Sequence, residues 1–197
     1  MSAQSLAKKQ EQILAHEEAL ANRLALAVLD KPTPPIWMIL IPIFFVFYAW
    51  KLKQYSNGLK DFARHYLISR RRALEAAVAA EETGKQVDIG ALVEAAGTNI
   101  PEQAKPLYQD WMQLLTEHYL SLLSAQGTSY AALVRNRYQD KTSYLLCNSQ
   151  LSRAELVFGK ALVPQIQGDM TDLLDVLERM EKALADLHRQ ESERIFS

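Results

Sequence analysis

This chain has little of what most enzyme chemistry needs. A single cysteine, Cys147, stands among 197 residues, which excludes an internal disulfide and any cysteine-cluster metal site. Glycine is scarce, and Gly84, Gly90 and Gly97 are spaced as helix punctuation, so neither a phosphate-cradling loop nor a nucleophile elbow is present. The four histidines, His16, His65, His118 and His188, have no second ligand at metal-binding spacing. His16-Glu17-Glu18 lacks the second histidine of a zinc-protease helix. Glu117 and His118 are neighbours in sequence, but adjacent helical residues do not face each other. Cys147 sits in SYLLCNSQ with no base in that stretch to lower its pKa, so it reads as a packed thiol. No catalytic, cofactor-binding or metal-ligating residue is therefore nominated. Strand-like alternation and internal repeats are also missing.

What is present is helix-forming sequence and one exceptional stretch. Residues 36 to 50, IWMILIPIFFVFYAW, carry no charge and follow Pro34-Pro35. As a helix they cover roughly 22 Å, short of the ~30 Å of a hydrocarbon core. Counting from Pro34 to Lys53, with the lysine heads extending outward, gives twenty residues, enough to span. Trp37 at one end and Tyr48 and Trp50 at the other occupy headgroup depth, and no polar face runs between them, which argues against a buried core helix. Pro42 lies near the middle. It reads as a kink in a single span, or as the turn of a re-entrant hairpin with both ends on one side. The span is favoured, because each hairpin arm would have only seven or eight residues and no glycine to turn on.

Charge gives orientation. The formal net charge of −1 hides a segment, residues 51 to 72, with seven bases (Lys51, Lys53, Lys60, Arg64, Arg70, Arg71, Arg72) against one acid, Asp61. The positive-inside rule places this side in the cytoplasm, and Lys51, Lys53, Lys60, Arg70, Arg71 and Arg72 become candidates for anionic-lipid contact. No aromatic platform accompanies the arginine run, and the remainder of the chain is acidic, so nucleic acid is not the expected partner.

Either side of the stretch reads as amphipathic helix. Residues 1–29 hold one such helix, with Leu6, Ile13, Leu20 and Ala27 seven apart and Leu14, Leu24 and Val28 widening the stripe, and 30–35 form a proline-rich turn. Its stripe suits core packing and interfacial binding equally. A second helix starts after Ser56-Asn57-Gly58, where the sequence offers a break or a cap. Its stripe is Leu59, Phe62, Ala63, Tyr66, Leu67, Leu74, Ala77 and Val78. Asp88 caps a short helix ending near Gly97, Pro101 opens another, and two or three more follow before Pro164. The last helix, about 169–194, repeats Leu173, Leu177, Met180, Leu184 and Leu187 at coiled-coil spacing, a seam for packing on the domain or for self-association.

The expectation is an all-α protein: one membrane-anchoring helix (36–50, extended 34–53) and a cytoplasmic bundle of about five to seven helices over 59–197. In outline it resembles single-anchor bacterial proteins with a helical cytoplasmic domain, which implies the bacterial inner membrane. The function expected is that of a non-enzymatic adaptor or scaffold held at the bilayer, with a protein partner or a second copy. The alternatives are an enzyme or accessory subunit for a lipid-borne substrate, using acids and His118, and a membrane-remodelling protein in which the helix from 3 to 29 acts as a wedge.

Overall fold

A computed structural model describes residues 3–31, 44–97, 100–165 and 170–197. Among these residues there are seven α-helices and no strands: α1 Ala3–Val28, α2 Phe44–Thr83, α3 Ile89–Ala95, α4 Lys105–Ser124, α5 Tyr130–Tyr138, α6 Lys141–Leu162 and α7 Met170–Phe196. The local rules account for most boundaries. Asp88, Ser129 and Asp140 each accept a backbone N–H of the first turn of α3, α5 and α6. Gly84 and Gly97 adopt positive φ, 66° and 70°, where α2 and α3 end.

Two expectations about helix pattern need correction. Ser56-Asn57-Gly58 does not break the chain: α2 runs unbroken for 40 residues, about 60 Å. A mid-helix glycine costs only about 1 kcal/mol relative to alanine, and α1 lies close by, with Leu29 Cδ1 3.9 Å from where a Gly58 Cβ would stand. In α1 the seven-residue line fails only at its end: Ala27 is exposed, because a straight helix drifts about 20° per heptad, while Leu24 and Val28 of the wider stripe are buried.

The helices bury two apolar clusters. The larger joins Leu6 and Ile13 of α1, Leu74 of α2, Met112, Leu115 and Tyr119 of α4, Leu133 of α5, and Ile195 of α7. The smaller joins Leu20, Leu24 and Val28 of α1, Ala63, Tyr66 and Leu67 of α2, and Leu184 and Leu187 of α7, with Met180 half-buried against it. Helix α1 is therefore a core element, in contact with α2, α4, α5 and α7. Its apolar stripe is occupied and is not presented as a wedge.

This placement bears on the apolar stretch. Residues 32–43, including Trp37 and the Pro42 kink, lie outside the described residues, as does Asp169. Tyr48, Trp50 and Lys51 belong to α2 by backbone, but their side chains are not described. Among the described residues no helix is long and apolar enough to cross a membrane. Helices α1 and α2 run antiparallel: Leu29 is near Gly58, and Glu18 pairs with Arg71. A chain that crossed a bilayer once between Leu29 and Gly58 would hold α1 and the second half of α2 in different compartments. Their shared core then could not form, so the favoured single crossing does not fit this fold.

The packing generates a stability prediction. Leu24→Ala removes a side chain with 0% exposure and is expected to cost about 2–5 kcal/mol in urea denaturation. Leu26→Ala, at a residue 61% exposed, should stay within about 0.5 kcal/mol of the parent. Equal costs would mean that α1 is not part of the core.

Candidate functional site

The feature least expected of a small helical bundle is a charged layer at its centre. On α1, Glu17 lies between Ile13 of the larger cluster and Leu20 of the smaller. On α2, Arg70 lies between Leu67 and Leu74, and on α7 Glu191 lies between Leu187 and Ile195. The layer thus separates two apolar regions along the bundle.

Arg70 is 5% exposed and grips two helices. Its Nη1 donates to Glu17 Oε2 at 3.1 Å, and its Nη2 donates to Glu155 Oε2 of α6 at 2.7 Å. The carboxylates are capped by phenols: Tyr119 donates to Glu17 at 2.8 Å, and Tyr66 donates to Glu155 at 3.4 Å. The guanidinium also lies 4.5 Å from the centre of the Tyr66 ring, a cation–π contact. Burial raises the Glu155 carboxyl above its ordinary range, with the Arg70 charge opposing it, and burial keeps the Tyr66 and Tyr119 phenols protonated.

A second group adjoins the first. Tyr144 donates to Glu191 at 2.8 Å, His16 Nδ1 lies 3.2 Å from the other oxygen of Glu191, and the His16 ring stacks on Tyr130 at 3.7 Å. Burial raises Glu191 too. It lowers His16 to about 3 and His118 and His188 to about 4, so the three imidazoles are neutral near pH 7. Two buried carboxyls, Glu17 and Glu155, thus share one buried guanidinium, while Glu191 is met by Tyr144, His16 and, from the surface at 3.6 Å, Arg194.

The layer has the chemistry of a structural clamp. Both oxygens of Glu17 and of Glu191 and one oxygen of Glu155 meet protein groups, and Arg70 Nε is buried without a partner. The groove between α6 and α7, which has Leu156 and Ser152 on one wall, meets only His188 of the layer. Cys147 lies in a separate cleft with His118 and Tyr138. The Tyr138 hydroxyl is 2.6 Å from His118 Nδ1 and 3.2 Å from Cys147 Sγ, and burial raises the thiol pKa. A neutral imidazole beside a protonated thiol is a packed arrangement rather than an activated nucleophile. Among the described residues no group of three or more His, Cys, Asp and Glu is placed to hold a metal ion.

The residues nominated for lipid contact divide. Arg70 faces inward and does not reach a headgroup, because it occupies the buried stripe of α2. Arg71 is exposed and paired with Glu18, Arg72 is half-buried, and Lys53 and Lys60 are exposed. The α7 seam divides as well: Leu184 and Leu187 are buried within the bundle, whereas Leu173, Leu177 and Met180 are half-buried. The clamp was missed, although its signal is present. Arg70 fills the gap in the spacing Ala63, Tyr66, Leu67, Leu74, and Glu17 stands in line with Ile13, Leu20 and Leu24.

Two measurements follow from this geometry. Arg70→Met leaves Glu17 and Glu155 without their cation and should cost about 3–5 kcal/mol near pH 7, whereas adding Glu17→Gln and Glu155→Gln should recover most of it. A single variant as stable as the parent would dismiss the clamp. The histidines set an acid limit. Each is neutral in the fold and takes a proton near pH 6.5 when unfolded, so its stabilising contribution is present above pH 6.5 and is lost as pH falls toward 4. Glu155 and Glu191, with raised values, work in the opposite sense and lose their contribution as pH rises. His188→Gln should therefore flatten the acid limb of the stability curve, by at most about 1.4 kcal/mol per pH unit. An unchanged slope would remove His188 from the account. Comparison with family models, with curated proteins and with solved structures finds no match for this chain.

Proposed function

We propose that this chain is a non-enzymatic helical adaptor, held at the cytoplasmic face of a membrane by its uncharged stretch and presenting its bundle to a protein partner or to a second copy. The observation that carries the reading is the continuity of α2. The apolar turns FFVFYAW, residues 44–50, and the buried stripe from Ala63 to Val78 belong to one helix, so whatever holds the first holds the bundle rigidly beside it. With Leu29 near Gly58, the first fourteen residues of α2 extend about 21 Å past the end of α1.

The pairing of α1 with α2 supports one-sided insertion: the uncharged stretch is embedded from the side that holds the bundle and does not cross. The basic residues after Trp50 support the cytoplasm as that side. An adaptor role is further supported by the half-exposed first half of α7, where Leu174 is 45% exposed beside Leu173 and Leu177.

Tags at the two termini test the topology. In sealed inner-membrane vesicles of either orientation both tags should be cleaved together or protected together, and opposite fates would overturn one-sided insertion. Mild-detergent extraction should recover a stoichiometric protein partner or a dimer, and a lone monomer would count against the adaptor.

A further inference from the structure

The outer edge of α2 carries an ordered surface that the clamp leaves unused. Lys53, Lys60, Arg64, Ile68 and Arg71 recur at intervals of seven, four, four and three, which places them along one side of the helix. All five are exposed, Ile68 by 41%. The stripe borders the groove between α1 and α2, where Arg64, Ile68 and Arg71 face Glu18 and Asn22. With Leu29 at the level of Gly58 and Glu18 at that of Arg71, Leu26, 61% exposed, falls beside Lys60 and Arg64.

Acids also reach this surface. Glu18 pairs with Arg71, and Asp61 pairs with Arg64 at 3.0 Å. Lys53 and Lys60 have no carboxylate set against them among the described residues. Two free lysines and two partly neutralised arginines fall short of the six to ten phosphate contacts typical of a nucleic-acid site. They suit a sheet of anionic headgroups, where each cation contributes on the order of 1 kcal/mol. Two further observations favour a bilayer. The stripe continues along the same helix into the apolar residues 44–50, and it carries two isolated large apolar side chains, Leu26 and Ile68, at its level. The exposed acids Asp175, Glu178 and Glu181 lie on α7, which packs on α1 and α6.

We infer that this edge of α2, with Leu26 of α1 beside it, is the membrane-facing surface of the bundle, which lies with α2 along an anionic bilayer rather than standing upright on it. The inference rests on the membrane reading above and adds the orientation. In an upright arrangement Arg71 would stand about 30 Å beyond Lys51, well outside the ~10 Å reach of the headgroup charge.

Co-sedimentation of the full chain with vesicles of phosphatidylcholine alone, and of phosphatidylcholine with phosphatidylserine, at low salt tests it. The doubly substituted Lys53→Glu/Lys60→Glu chain should bind the anionic vesicles at least about tenfold more weakly, in line with the loss of two cations and the gain of two acids. Its binding to phosphatidylcholine alone and its circular dichroism melt should be unchanged. Lys141→Glu/Arg189→Glu, on α6 and α7, should behave as the parent on both. Equal binding of the α2 variant and the parent to anionic vesicles would overturn the orientation while leaving the anchor in place. Failure of the parent to sediment with either vesicle would overturn the membrane reading itself. Retention of transfer RNA through Lys53 and Lys60, with no preference for anionic vesicles, would reassign the stripe.

Discussion

Everything in this bundle is arranged around the need to satisfy Arg70. A guanidinium withdrawn from water retains its place only if carboxylates and other acceptors meet it, and here the partners come from both ends of the sequence, Glu17 of α1 and Glu155 of α6. Sliding α1 or α6 by one turn against α2 would separate these charges and bring carboxylates against leucines. The layer therefore discriminates among registers that two greasy clusters alone would tolerate. Compared with a well-packed apolar layer its net stabilisation is modest, since desolvation offsets much of the attraction. The phenols of Tyr119 and Tyr144 complete it by taking oxygens of Glu17 and Glu191 that Arg70 does not hold, and Tyr66 shares Glu155 Oε2 with Arg70.

Fixing α1 against α2 has an effect well beyond the core. The two helices enclose the uncharged stretch between them in sequence, and their antiparallel pairing ties both its flanks to one body. If that stretch meets a bilayer, as proposed, a salt bridge several turns away keeps both its flanks on one side. Clamp and uncharged stretch are mechanically coupled, because α2 contributes to both.

Much of this was legible in the residues. The helical class, the caps at Asp88 and Gly97, the stripe of α2 and the burial of Leu184 and Leu187 in α7 all follow from period and punctuation. The extent of α2 was not legible, because Ser56-Asn57-Gly58 weakens a helix locally by an amount that neighbouring turns and the nearby α1 easily exceed. The role of α1 was not legible either, since an amphipathic stripe has the same appearance whether it meets lipid or protein. The central layer was missed for a different reason. Arg70 was counted with Arg71 and Arg72 as a basic run, although the three residues point in directions about 100° apart and only the first lies in line with the buried positions. Charge summed over a window conceals which charges face inward.

The pairing of the first helix with the last also sets an order of events. Leu24 and Leu184 share the smaller cluster although 160 positions separate them in sequence, so at ribosomal rates of 5–20 residues per second roughly 10 to 30 s separate their syntheses. Through that interval α1 has α2, α4 and α5 to pack on but not α7, so the end of its stripe that Leu184 and Leu187 close, from Leu20 to Val28, is the last part of the core to be completed.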